Sequence, residues 1–281
     1  MRVMRRLMFI VFCISIFAAC KKSQNNNGGT TTLPSGYYFI RNMSVITYDT
    51  TGARFDSAVT SYNYDAQGRS TNLTQQQFDV SFVHPQGQLL SSYSISYKYN
   101  SNNTIVVNEP NVQTSTYYVN SSTMLADSSY TSYNGGSGLV VYYFYDQNGY
   151  RKKDISYSIY NGQYSKSSED DFTIVNGNVT QYITYNYNNI YSGLNDTVIS
   201  NFPANPYPRP AIKVIDEYLG SYGITGQLNV NLPSSAISNI TGTITSVNFY
   251  YTFDSVNRVN TMVEKLTNTG QIYATVRYNY Y

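Results

Sequence analysis

Tyr62-Asn63-Tyr64-Asp65-Ala66-Gln67-Gly68-Arg69 is the stretch whose reading decides the fold. Two aromatics at alternate positions lie on one face of an extended strand, an Asp follows whose side chain accepts from the backbone of the next turn, and a Gly supplies positive φ. The stretch therefore ends one strand, reverses the chain and starts the next. It recurs as Tyr143-Phe144-Tyr145-Asp146-Gln147-Asn148-Gly149-Tyr150 and Tyr251-Thr252-Phe253-Asp254-Ser255-Val256-Asn257-Arg258, with a weaker copy at Tyr97-Lys98-Tyr99-Asn100. The spacing between copies is irregular, which excludes a solenoid of fixed period.

Alternation extends outward from these copies. Tyr93, Ile95, Tyr97 and Tyr99 share one parity; so do Leu139, Val141, Tyr143 and Tyr145, and again Ile272, Ala274, Val276, Tyr278 and Tyr280. Period two in β-branched and aromatic residues marks half-buried strands. Turn signals separate the runs at Thr51-Gly52, Gln67-Gly68, Asn134-Gly135-Gly136, Asn148-Gly149, Asn161-Gly162, Asn176-Gly177 and Thr269-Gly270, of which Asn-Gly is the strongest hairpin signal. The expectation is an all-β antiparallel meander over residues 37–281, an open or partly rolled sheet or half-barrel with almost no helix. Four prolines between Phe202 and Pro210 forbid a central strand there and imply a long loop or a seam between subdomains.

Composition narrows the class. Charged residues are 12% and apolar residues 41% of 281, with 32 Tyr, no Trp, one His and two Cys. The charge is about half that of an ordinary soluble domain, yet the apolar share suffices for a core. Arg2, Arg5 and Arg6 precede an apolar run from Leu7 to Ile14 and then Phe17-Ala18-Ala19-Cys20, which reads as a secretory signal over residues 1–19. The run is shorter than the roughly 20 residues a spanning helix needs. Cleavage before Cys20 leaves 15 positive against 16 negative side chains, so the formal +2 belongs to the signal. Residues 20–36 hold a single large apolar residue, Leu33, and read as a tether.

Ala18-Ala19-Cys20 resembles the lipobox of bacterial lipoproteins, with Phe17 where that motif usually has an aliphatic residue. The resemblance implies lipid attachment at Cys20, and Lys21 after it leans to the outer membrane. The Tyr-Xaa-Tyr-Asp hairpins resemble the repeats of the Rhs family. With the lipobox, Tyr218-Leu219-Gly220 and Asn231-Leu232-Pro233-Ser234, the chain resembles more closely a group of Bacteroidetes envelope lipoproteins that includes a porin-like family of unknown function. That resemblance implies a fold and no activity. Asp49-Thr50-Thr51, Asp56-Ser57-Ala58, Asp196-Thr197-Val198 and Asp254-Ser255-Val256 resemble acceptor sites for O-glycosylation in that bacterial group, which would modify Thr50, Ser57, Thr197 and Ser255.

The residues themselves offer little catalytic chemistry. His84, beside Pro85, has no Cys to pair with in the mature chain and no Gly-Xaa-Ser-Xaa-Gly elbow accompanies it, so it reads as a surface turn residue. Zinc lacks its N and S ligands, and no phosphate-binding glycine loop leads into a helix. Glu169-Asp170-Asp171, with Asp154 or a loop oxygen, is the one weak calcium candidate; otherwise it reads as a solvated turn before a strand from Phe172 to Val175. Arg151-Lys152-Lys153 reads as a solvated hairpin arm. Near-zero mature charge and an exported chain exclude nucleic acid. In the last strand Tyr281 shares parity with Asn279, Arg277 and Thr275, whereas a spanning barrel places its terminal aromatic on an apolar outer face.

The expected function is a non-catalytic envelope lipoprotein of the outer membrane. It needs no cofactor, reaches the membrane through its lipid, and binds or scaffolds an envelope protein or glycan through a Tyr/Asn-rich sheet surface. The alternative is a glycan-binding accessory of a polysaccharide-uptake system, with a glycoside-processing enzyme a distant third.

Overall fold

The computed structural model describes residues 39–49, 51–80, 86–133, 136–187, 195–202, 232–256 and 258–281. Sixteen antiparallel strands follow one another: β1 Ile40–Tyr48, β2 Arg54–Tyr64, β3 Ser70–Asp79, β4 Gln88–Tyr99, β5 Thr104–Glu109, β6 Gln113–Val119, β7 Ala126–Tyr133 and β8 Ser137–Tyr145; then β9 Arg151–Tyr160, β10 Gln163–Val175, β11 Asn178–Asn186, β12 Asn195–Asn201, β13 Ser235–Ile240, β14 Thr243–Phe253, β15 Val259–Leu266 and β16 Ile272–Tyr280. No helix occurs among the described residues. Each strand pairs with its sequence neighbours, and β1 pairs with β16, from Ile40 opposite Tyr280 to Thr47 opposite Ala274.

The sheet is therefore a closed barrel, not the open or partly rolled sheet that the alternation suggests. Closure joins strands more than two hundred residues apart, and nothing in the periodicity of either strand distinguishes a paired edge from a bare one. Physically, closure removes the two rows of unpaired backbone groups that an open meander leaves at its edges. β12 and β13 also pair directly, Thr197 opposite Asn239 through Asn201 opposite Ser235, so the strands flanking the proline-rich segment are neighbours in one barrel. Of that segment only Phe202 lies within the described residues.

The turns form where glycine and asparagine allow them. Asn161 and Gly162 have φ of 48° and 73°, and Asn176 and Gly177 have 51° and 72°, the paired positive values of the two-residue hairpin turn that suits strand twist. Thr241-Gly242 adopts the same geometry at 49° and 81°. The β-branched Thr241 is held there by its N–H donating to Asp196 Oδ1 at 2.7 Å, a support that local sequence does not reveal.

Inward and outward positions alternate. On β2 the buried set is Asp56, Ala58, Thr60, Tyr62 and Tyr64; on β16 Ala274, Val276 and Tyr278 are buried while Arg277 and Asn279 are exposed. The main core, with Tyr62, Ile95, Met262 and Val276 almost fully enclosed, draws on β1 to β7 and β13 to β16. Leu232 and Phe39 close it at the end of the barrel where β1 begins and β16 ends. The inner row of β9 to β12 is polar, with Asp154, Asp170, Thr184 and Asp196 in register across four strands.

Candidate functional site

The repeated hairpins all turn at that same terminal end. Asp65 Oδ1 accepts from the N–H groups of Gln67 and Arg69, both at 2.9 Å, and its Oδ2 takes Arg69 Nε at 2.7 Å. Asp254 holds Val256, Arg258 and the Arg258 guanidinium in the same way, and Asp146 holds Asn148 and Tyr150. Arg69 then stacks on Tyr99 and Arg258 on Tyr280, each 4.4 Å from the ring centre. A further Asp turn lies at the opposite end, where Asp49 Oδ1 accepts from Thr51 at 2.8 Å and Ala53 at 3.0 Å. Its signal, Tyr48-Asp49 followed by Thr51-Gly52, is in the sequence without the preceding alternate aromatic.

Inward tyrosines of these copies, and Tyr280 of β16, are anchored through their hydroxyls. Tyr64 donates to the Ile40 carbonyl, Tyr145 to Ala126, Tyr251 to Pro233 and Tyr280 to Val259, at 2.7 to 3.0 Å. Each ring fills the lining while its polar tip satisfies a carbonyl, which is why Tyr can stand where Phe would leave that carbonyl without this donor.

The acidic run is not a turn. Glu169, Asp170 and Asp171 lie within the thirteen-residue β10, where successive side chains point to opposite faces. Glu169 and Asp171 face outward and share Lys153, at 2.5 and 3.2 Å, while Lys166 reaches Glu169 at 2.5 Å. Hydrogen bonds from the two lysines hold the Glu169 carboxyl below its usual range. Asp170 points inward, directly opposite Asp154, and accepts from the Thr184 hydroxyl. Burial raises the Asp170 carboxyl despite that bond. The calcium candidate is thus split: Asp154 and Asp170 meet, and the other two carboxylates lie on the far side of the sheet.

Arg151 does not share the solvated arm expected of it. It turns inward, 3.4 Å from Asp154 Oδ2, with its guanidinium 4.7 Å from the centre of the Phe172 ring, whereas Lys153 turns outward. Burial nevertheless pushes the Asp154 carboxyl up to about 7, Arg151 opposing and Asp170 adding to the rise. Asp154 Oδ1 has no hydrogen-bond partner among the described residues. Glu264, not singled out by sequence, is 1% exposed between Phe249 and Ala274, and burial alone pushes it up to about 8.

Of the candidate modification sites, Ser57 lies on the outer face of β2 beside the buried Asp56, Thr197 on the outer face of β12, and Ser255 at an exposed turn. Cys20, Thr50 and His84 lie outside the described residues.

The outer surface is uneven. β4 presents Ser92, Ser94, Ser96 and Lys98, and β16 presents Arg277 and Asn279. β8 differs, because Leu139 to Tyr145 is a continuous apolar run that places Val140, Tyr142 and Phe144 outside as well as Leu139, Val141, Tyr143 and Tyr145 inside. β9 adds Ile155, Tyr157 and Ile159 beside them, over an inner row of Asp154, Ser156 and Ser158. Tyr142 and Tyr157 meet edge to face at 6.1 Å, and Tyr142 and Phe144 are 45% and 41% exposed. Beyond the stripe, Tyr160 and Tyr164 flank the Asn161-Gly162 turn at 68% and 64% exposed.

A sixteen-strand closed meander has counterparts among solved structures. They are porin-like. A porin-like protein from Bacteroides uniformis superposes with a TM-score of 0.65 at 15% identity, covering 86% of this chain and 96% of that one. A porin-like protein from Bacteroides vulgatus gives 0.55 at 12% identity, with 87% and 99% covered. No protein-family model matches the sequence, and no curated protein matches it. At these identities the likeness is one of fold; it agrees with the porin-like fold that the resemblance implies, in a closed barrel rather than an open or partly rolled sheet.

Proposed function

We propose that this porin-like barrel is a non-catalytic lipoprotein of the cell envelope, held at the outer membrane by lipid on Cys20 and acting as a scaffold or binder through its Tyr/Asn-rich outer surface. The observation that carries the reading is the apolar core that β1 to β7 and β13 to β16 enclose, set against the polar outer faces of strands such as β4 and β16. A spanning barrel has the reverse arrangement, an outward apolar band around a polar interior. An anchor outside the strands is then what ties such a barrel to a membrane, and the lipobox-like Phe17-Ala18-Ala19-Cys20 supplies one.

The test is fractionation of the full chain in a bacterial host that acylates lipoproteins. Wild type is expected in carbonate-washed outer membranes with an acylated N-terminal peptide by mass spectrometry, and Cys20→Ala in the soluble fraction. A Cys20→Ala protein that stays in washed membranes would overturn the anchor. Intact mass of the native-host protein tests modification of Thr50, Ser57, Thr197 and Ser255 at the same time, since peptide plus lipid alone rules it out.

One observation favours the glycan-binding alternative. Tyr160 and Tyr164 stand highly exposed beside the amides of Asn161 and Gln163, and flat aromatic faces next to amide groups suit sugar rings. Saturable binding on a glycan array, lost in Tyr160→Ala and Tyr164→Ala, supports that reading; silence leaves the scaffold.

A further inference from the structure

We infer that the stripe formed by the outer faces of β8 and β9 rests on a lipid bilayer surface, so that the barrel lies side-on against the membrane to which its lipid ties it. The inference rests on the lipoprotein reading above and adds to it a second, non-covalent contact.

Val140, Tyr142, Phe144, Ile155, Tyr157 and Ile159 make every central outward position of two adjacent strands apolar or aromatic. A strand apolar on both faces is normally one covered on both faces. The inner face of β8 is covered by the barrel, and its outer face leaves Tyr142 and Phe144 exposed. On β9 the wall is inverted, with Asp154, Ser156 and Ser158 inside and the apolar residues outside. That is the local pattern of a wall facing an apolar medium; on other strands exposed apolar residues such as Tyr130, Ile199, Ile237 and Tyr250 alternate along the outer face with Ser, Thr or Asn.

Shape and area choose the occupant. A closed barrel presents a convex wall, and a convex wall meets a flat surface along a narrow band parallel to its strands. With β7 included, three strands at about 4.8 Å spacing and eight residues at about 3.4 Å each make a band of roughly 14 by 27 Å, on the order of 400 Å². A stable dimer buries about 800 Å² on each partner, so a second copy would need contacts that this stripe does not supply. A bilayer needs less, because the nineteen residue steps from Cys20 to Phe39 keep the barrel within at most about 65 Å of the acylated residue, which makes a weak face effective. Phe39 enters at the terminal end of the barrel, the end where β8 finishes at Tyr145 and β9 starts at Arg151. Tyr and Phe suit the headgroup boundary, where aromatic rings partition.

The experiment uses the full chain carrying Cys20→Ala, so that no acyl chain contributes, and floats it with phosphatidylcholine vesicles and with mixed phosphatidylethanolamine and phosphatidylglycerol vesicles. The protein is expected to float with the vesicles. Adding Tyr142→Ser and Tyr157→Ser should lower the bound fraction about tenfold with an unchanged circular dichroism spectrum, and Phe144→Ser serves if that pair does not fold. Tyr250→Ser, at a tyrosine 52% exposed on β14, should float as the parent does. A parent that stays with the aqueous phase, or stripe variants that float as well as it does, overturns the inference without touching the anchor, which the fractionation of Cys20→Ala tests separately. A parent dimer in sedimentation equilibrium that the stripe variants dissolve, with no flotation, also overturns it and assigns the stripe to a second copy.

Discussion

Glu264 and Asp154 show what one enclosed carboxyl does to a barrel this sparse in charge. Burial pushes them up to about 8 and about 7, above the ordinary 4.5 and 3.8. Between those limits the folded protein holds protons that the unfolded chain has released, so stability falls as pH rises through the window, by up to ~1.4 kcal/mol per pH unit for each group, and levels off above it. Glu264→Gln is expected to leave the urea midpoint little changed near pH 4 and to raise stability by about 5 kcal/mol near pH 9; equal midpoints for both proteins at alkaline pH would show that Glu264 is not enclosed. Gly138 makes a second residue-scale case. A Cβ there would lie 3.0 Å from the Thr131 carbonyl oxygen and 3.0 Å from the Tyr130 ring. Gly138→Ala should therefore cost about 1–2 kcal/mol through overpacking, read as a lower thermal midpoint. Neither position was legible in the sequence, since a lone Glu in a strand and a lone Gly before an apolar run take their meaning from the neighbouring strands.

At the scale of elements the hairpins carry the most information. The Asp of each repeat accepts two backbone N–H groups, and Asp65 and Asp254 also hold an arginine that caps an aromatic one strand further on. Asp65→Ala and Asp254→Ala should each destabilise by about 1–2 kcal/mol, and Asp→Asn at the same sites by less, because the amide oxygen still accepts. Thermal unfolding of the two series checks this; equal losses for Ala and Asn would place the effect in the arginine rather than the turn. This geometry was readable from the octapeptide because every atom in it is local. The register of Glu169-Asp170-Asp171 was not, because three polar residues in a row carry no period and only the pairing of β9 with β10 and β11 settles which side each occupies.

For the whole molecule the decisive contact is the seam between β1 and β16. The core draws on both, through Met43 and Val45 on one side and Val276 and Tyr278 on the other, so closing the sheet and filling it are one event. Removing residues 267–281 should leave β1 and β15 as bare edges and convert the protein from a cooperative unfolder to an aggregating one. Light scattering and a lost unfolding transition would register that, and a soluble, cooperatively folding truncation would contradict it. Because the seam joins the first strand to the last, it forms late and at high loop-closure cost.

What the sequence determined by itself is the strand-and-turn grammar: alternate aromatics, the Asp that caps each reversal, and Asn-Gly positions that accept positive φ. These depend on bonding within about ten residues, and the chemistry of those residues states them. The tertiary structure alone decided that the meander closes, that Arg151 turns inward while Lys153 turns outward, and that Asp154 meets Asp170. Each of these depends on which strand lies beside which and on the side of the sheet that becomes the interior, a choice that closure makes for all sixteen strands together.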